Sequence, residues 1–354
     1  MYRILAINPG STSTKVAVYD DERPILKKML HHESQELARF PRITDQHVFR
    51  RDAVLSCLGE ADIPLESLDA VVGRGGIMRP VESGTYRINE RMLEDLRAPA
   101  EREHASNLGA IIAHEIASRR GIPSYVVDPV SVDEFEPLAR ISGLPEIERK
   151  SLSHALNLKA TAHRAAAELG RAYEEVNLVV AHLGGGISVS SHYQGRMVDV
   201  NQALDGTGPF SPERAGGLPV GDLVRMCYSG KYTYEEMRRK IIGKGGLVAH
   251  LGTNNATEVE RRIAHGDEHA RLVYEAMAYQ IAKEIGLMAT VLKGEVDAIV
   301  LTGGLAHSEM LVGWIRERVE WIAPVLVYPG EDEMLAMTQG VLRVLRGEEK
   351  AKDY

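Results

Sequence analysis

The chain has 354 residues, 44% of them hydrophobic and 26% charged, with a net charge of −8. That length exceeds what one hydrophobic core usually serves, so two domains are expected. The acidic balance provides no overall basic field for nucleic acid. The only cysteines, Cys57 and Cys227, stand in no paired spacing, which excludes a disulfide framework or a cysteine zinc site and fits a reducing cytoplasm. The apolar run at 4–7 is too short for a signal-peptide core, and no segment reaches transmembrane length, so no membrane attachment is expected.

The first predicted element is a hairpin. "ILAINPGSTSTKVAVYD" at 4–20 sets an apolar strand, a turn crowded with hydroxyls and a second apolar strand in close succession. Gly, Ser and Thr in a turn let N–H groups and hydroxyls converge into a concavity for an anion such as phosphate. The candidates are Asn8, Gly10, Ser11, Ser13 and Lys15. The same turn also serves as an ordinary hairpin whose hydroxyls cap their own backbone. A strand at 69–73 then leads into "VVGRGGIMRP", where Arg74 and Arg79 offer forks for a carboxylate or phosphate.

Helical spacing over 101–120 ends at Gly121, and the strand "SYVVD" follows at 124–128. The Pro-rich, acidic stretch 128–147 is the best candidate for a domain boundary. A helix is expected over 153–170, with His154 at its start. The strand "NLVVAHL" at 177–183 carries His182 and runs into Gly184, Gly185 and Gly186, which permit close backbone approach. This turn echoes the first, with Asn8 facing His182 and Gly10 facing Gly184, as a duplicated phosphate hairpin would.

The stretch 205–222, "DGTGPFSPERAGGLPVGD", is dense in Gly, Pro and polar residues around Arg214 and reads either as a surface loop or as part of a site. A long, largely buried helix is expected from about 267 to 292. A strand at 297–304 enters "LTGGLAHSEM", where Gly303, Gly304 and Leu305 precede a helix, a setting suited to a nucleotide. No Walker pattern and no strand-to-helix G-x-G-x-x-G occurs, so a nucleotide site must use another architecture. After the strand at 324–330, Glu331, Asp332 and Glu333 either hold Mg²⁺ or load a helix N-terminus with negative charge. The alternation of strands and helices indicates an α/β protein.

With these turns in order, the chain resembles the acyl-phosphate-forming kinases of the acetate kinase family, most closely its butyrate kinases. These belong to the superfamily of acetate and sugar kinases, heat-shock chaperones and actin. The resemblance rests on "ILAINPGSTSTKVAVYD", "SYVVDPV", "SLSHALN", "VAHLGGGISV", "LTGGLAHS" and "YPGEDE", and spans nearly the whole chain. It implies two actin-like domains, each a mixed β-sheet flanked by helices, around a nucleotide cleft. The first would comprise 1–147 with a returning helix in 334–354. The second, 148–333, would carry the nucleotide motifs and dimer contacts.

The resemblance further implies ATP/ADP and Mg²⁺ as cofactors and a short-chain fatty acid and its acyl phosphate as partners, in a cytoplasmic homo-oligomer. By motif position, Asn8 and Ser13 fall at the phosphate and magnesium end, with Gly10, Ser11 and Lys15 in the same hairpin. Asp128, His154 and His182 match catalytic positions, and Glu333 lies in the magnesium-linked region. Gly184, Gly185, Gly186, Asn254, Gly303, Gly304 and Leu305 match the nucleotide side. Three departures stand out. The family's substrate arginine is replaced by Val71, leaving Arg74 as the carboxylate candidate, and its second catalytic arginine is missing before Gly221, leaving Arg214. "GTNNAT", with Asn254 and Ala256, stands where an Asp and an Arg meet adenosine.

The expected reaction is phosphoryl transfer from ATP to butyrate. Isobutyrate or another branched acid, then acetate or propionate, are the alternatives. A sugar kinase or a noncatalytic nucleotide switch of the same superfamily are competing classes.

Overall fold

The computed structural model describes residues 1–98, 105–204 and 206–354. The start of the expected helix 101–120 and the first residue of the stretch 205–222 therefore lie outside the described residues. The chain divides into two compact units, Met1–Val132 with Asp332–Tyr354, and Asp133–Glu331.

The first unit is built on strands β1 (Arg3–Pro9), β2 (Ser13–Asp20), β3 (Arg23–His31), β4 (Ala70–Arg74), β5 (Thr85–Arg87) and β6 (Ser124–Val127). With the short strand Lys352–Asp353 they form one sheet, ordered Lys352–Asp353, β5, β6, β4, β1, β2, β3. β1 runs antiparallel to β2 and parallel to β4, which runs parallel to β6. The central strands β1 and β4 are nearly continuous apolar runs because helices cover the sheet. Helices α1 (His47–Glu60) and α2 (Asn107–Ser118) and the helix Glu333–Leu345 pack in this unit. At Gly73 of β4 a Cβ would fall 2.1 Å from the carbonyl oxygen of Gly109 on α2, so the strand and helix backbones meet as only glycine allows.

The second unit carries β7 (Asn177–Leu183), β8 (Ile187–Tyr193), β9 (Arg196–Val200), β10 (Ala298–Gly303) and β11 (Val325–Pro329), ordered β11, β10, β7, β8, β9. Helices α3 (Ala155–Glu168), α4 (Glu268–Val291) and α5 (Glu309–Val319) pack in it. α4 buries Ala270, Tyr274, Met277, Ile281, Ile285 and Met288, the 3–4 spacing of one helical face, against the sheet core. A buried ion pair, Lys159 Nζ to Glu134 Oε2 at 2.6 Å, also lies in this unit.

The two units share a topology. β3, β2, β1, β4, β6 and β9, β8, β7, β10, β11 each follow an antiparallel meander with two parallel strands. The short sequence echo is thus repeated in strand order. In each unit the glycine turn follows the first strand of the meander.

Candidate active site

In sheets with parallel strands, ligands collect beyond the carboxyl ends of the strands. In the first unit those ends hold Asn8 (β1), Arg74 (β4) and Asp128 (after β6). Asn8 Nδ2 donates to Glu333 Oε2 at 2.5 Å, and Arg74 Nη1 forms an ion pair with Glu333 Oε1. Both partners of that pair are nearly buried, with side chains 11% and 13% exposed. Glu333 occupies the first turn of its helix, where Asp332 accepts from the Leu335 amide at 3.0 Å. Thus Asn8, Arg74 and Glu333, far apart in sequence, are one cluster.

Asp128 is buried and has a left-handed backbone, φ 38°. Its Oδ1 accepts from Ser83 Oγ at 2.6 Å and from the Gly84 amide at 2.8 Å. Lys15 lies directly across the β1–β2 ladder from Asn8, which puts the two side chains on one face.

The turn between these strands is tightly organised. Gly10 N–H donates to the Ser13 carbonyl at 2.8 Å, and the His32 amide donates to the Thr12 carbonyl at 2.9 Å. Ser11 is exposed and Ser13 half-buried.

Arg50 on α1, which sequence reasoning missed, lies beneath this turn and is fully buried. A signal was present: Arg50 falls at helical spacing with Val54, Cys57 and Leu58, the buried face of α1, so the arginine occupies a core position. His32 also escaped notice. Its Nε2 is 2.8 Å from Thr14 Oγ1, and burial, reinforced by Arg50, pushes its pKa down to about 4.

The second unit holds a second cluster. His182, at the end of β7, stacks on His154 with ring centroids 3.9 Å apart and planes 14° from parallel. His182 Nδ1 is 2.9 Å from Asn157 Oδ1, its Nε2 is 3.8 Å from Glu331 Oε2, and His154 Nδ1 is 2.9 Å from Ser188 Oγ. These partners fix both rings.

Beyond His182 comes the turn of three glycines, where the Gly184 amide donates to the Gly186 carbonyl at 3.2 Å. The Arg214 guanidinium rests on Gly186, where a Cβ would fall 1.9 Å from Nη1. Nη1 donates to the Ala203 carbonyl, and Ser211 Oγ donates to the Gly185 carbonyl at 2.6 Å. The stretch containing Arg214 is therefore joined to the glycine turn and is not a detached surface loop.

Asn254 Nδ2 donates to Glu213 Oε1 at 2.6 Å, and Glu213 also approaches Gly185. Gly303 exchanges backbone hydrogen bonds with Gly330, at 3.0 and 2.9 Å. Gly304 and Leu305 form the short 3₁₀ turn that follows β10. Among the described residues, no group of three or more His, Cys, Asp or Glu side chains makes a metal cage.

Comparison with known proteins bears on the fold and on the family. The fold is shared with the acetate kinase of Porphyromonas gingivalis, at 20% identity, covering 98% of this chain and all of that one with a TM-score of 0.81. It is shared also with a propionate kinase of Francisella tularensis, at 19% identity, covering 96% and 99% with a TM-score of 0.75. The class is thus an α/β protein of the actin-like fold.

The family description "Acetokinase family" matches residues 148–320. Butyrate kinase 1 of Clostridium acetobutylicum is 56% identical over 354 residues, the full length of both chains. The chain belongs to the acetokinase family.

Proposed function

We propose that this chain is a butyrate kinase. It transfers the terminal phosphoryl group of ATP to the carboxylate of butyrate, giving ADP and butyryl phosphate, reversibly. The observation that carries this reading is the full-length 56% identity to Butyrate kinase 1.

A fatty-acid carboxylate is ionised at neutral pH, so the nucleophile needs no general base. A carboxylate oxygen forms the new bond to phosphorus as the bond to the departing ADP oxygen breaks. The difficulty is bringing two anions together, so catalysis is positioning and charge neutralisation. Arg214, held on the triple-glycine turn, and His182, braced by Asn157 and His154, stabilise the charge in flight. Arg74 steadies the carboxylate. The 8–15 turn holds phosphate oxygens with Gly10, Ser11, Ser13 and Lys15. Gly184, Gly185, Gly186, Asn254, Gly303, Gly304 and Leu305 hold the nucleotide.

The donor set suits Mg²⁺. The Glu333 carboxylate, which a cation would have to share with Asn8 Nδ2 and Arg74, and the Asn8 side-chain carbonyl are hard oxygen donors, and a cation held by one carboxylate together with phosphate oxygens and water matches the habit of Mg²⁺. Asn8 and Glu333 would hold it, with Asp128 orienting its water shell. When bound, it neutralises charge on the phosphates.

The enzyme works in the cytoplasm as a homo-oligomer. Its second unit exposes Val220 and Val224 on the helix Val220–Cys227, and Leu272 on α4. Leu218, Met226 and Leu272 line one apolar depression there, the kind of surface that a second copy covers. No described helix is long and apolar enough to cross a membrane.

The test is acyl-hydroxamate formation with MgATP across acetate, propionate, butyrate, isobutyrate, valerate and glycerol. The expected maximum is at butyrate. Silence on every acid with ATP still bound would overturn the reading, and a maximum at isobutyrate would correct the substrate.

A further inference from the structure

Arg50 is a fully buried cation whose hydrogen-bond acceptors are all neutral. Nη1 donates to the carbonyls of Gly10 and Ser13, at 2.8 and 2.9 Å, and to Thr14 Oγ1 at 3.2 Å. Nη2 donates to the Ser11 carbonyl at 3.0 Å and to Gln46 Oε1 at 2.8 Å, and Nε donates to that same Gln46 oxygen at 3.0 Å. Burying a guanidinium without a carboxylate is costly, and a neutral brace would avoid that cost. Desolvation lowers its pKa only to about 10, so the group remains charged at neutral pH.

The turn above it has one polarity. The carbonyls of Gly10, Ser11 and Ser13 face Arg50, and that of Thr12 is taken by the His32 amide. The amides of Ser11 and Thr12 donate to no group among the described residues, and both residues are exposed. Carbonyls held inward and amides left outward make an anion cradle, with a buried positive charge behind it.

We propose that Arg50 is a positioning residue: it locks the polarity of the 10–14 turn, and its uncompensated charge draws the nucleotide's phosphates onto the amide face. The proposal rests on the phosphate reading of that turn. The titratable groups facing Arg50 are few. His32, in contact with Arg50's acceptor Thr14, is held neutral by burial and by Arg50 itself, and His31 and Glu36 also act on His32.

The decisive variant is Gln46→Glu in the full-length protein. It places a carboxylate where Arg50 already donates two hydrogen bonds, so it cancels the charge while preserving the brace. Calorimetric binding of MgADP and of tripolyphosphate, with the thermal midpoint, reads the result. The expectation is an unchanged or higher midpoint with affinity for both ligands weakened about tenfold, the scale of one charge at an effective dielectric near 20. A raised midpoint with unchanged affinity would overturn the proposal and leave Arg50 a brace.

Arg50→Lys and Arg50→Met provide a second reading should Gln46→Glu fold poorly. Lys retains the charge with fewer donors, so its affinity should stay within about threefold of native while Met loses about tenfold. Equal losses in the two would overturn the role of charge. Because binding is measured without butyrate, absent butyrate turnover in the native protein would refute the proposed function without deciding the role of Arg50.

Discussion

Gly186→Ala tests the seat of Arg214 without touching the arginine. A Cβ at this position would stand 1.9 Å from Arg214 Nη1, so the guanidinium must retreat by about 1.5 Å to reach ordinary contact. The backbone of Gly186 is not in the left-handed region, so alanine brings no conformational strain of its own. The obstruction falls on the far end of a flexible side chain, and the stability cost should be near the low end of overpacking, about 1 kcal/mol.

Catalysis should suffer far more. A displacement of about 1 Å at a charge-stabilising group can cost about 100-fold in rate, or about 2.7 kcal/mol of barrier. We expect kcat for acyl phosphate formation to fall about 100-fold while the thermal midpoint moves by a few degrees. Arg214→Ala should lose at least as much, and the double variant should lose no more than Arg214→Ala alone, because both changes remove one interaction. The assay is steady-state hydroxamate formation with the two single variants and the double. Native turnover in Gly186→Ala, or multiplicative losses in the double variant, would refute the role given to Arg214.

Glu333→Gln should destabilise the first unit by about 1.5–3 kcal/mol, since it removes the charge that Arg74 and Asn8 both meet, and should raise the Mg²⁺ concentration needed for half-maximal rate; a magnesium titration alongside a melt checks both. Lys159→Met should cost about 3–5 kcal/mol by leaving the Glu134 carboxylate buried without its ammonium, and adding Glu134→Leu should recover most of it, as urea unfolding would show. His32 is held neutral down to about pH 4, whereas in the unfolded chain it takes up a proton near its ordinary pKa of 6.5. The unfolded state therefore binds more protons between these values, and stability falls as pH drops from about 6.5 to 4, by up to about 3 kcal/mol. His32→Gln should flatten that part of a midpoint-against-pH curve, and an unchanged slope would refute the assignment.

Much of the fold is legible in the sequence because its central strands are continuous apolar runs ending in glycine turns. The runs at 4–7, 124–128, 177–183 and 297–304 all lie in the strands or at their ends. β3 is the instructive omission. Every residue of "RPILKKMLH" is exposed or half-buried, so no inward-facing period marks it, and its place is fixed by pairing with β2. The short β5 leaves a similarly faint pattern.

The clusters were legible one residue at a time but not as clusters. Arg74 and Glu333 are 259 positions apart and His182 and Asn157 are 25 apart, and no periodicity encodes such meetings. The histidines stand out at a helix start and a strand end, and resemblance to a family adds Asp128 and the roles of all three, while Arg50 merely adjoins a second arginine, Arg51. Only its helical phase distinguishes the two.

The division of the chain has a consequence for biosynthesis. The second unit, Asp133–Glu331, is continuous, but the first borrows Asp332–Tyr354 from beyond it. On the ribosome the later-made unit can therefore complete its core while the earlier one still lacks the helix that packs against β1, β4 and β6. Glu333, the residue that joins Asn8 to Arg74, arrives on that same helix. The N-terminal half of the chain must wait, partly assembled and exposed to chaperones and proteases, for translation to reach the segment that finishes it.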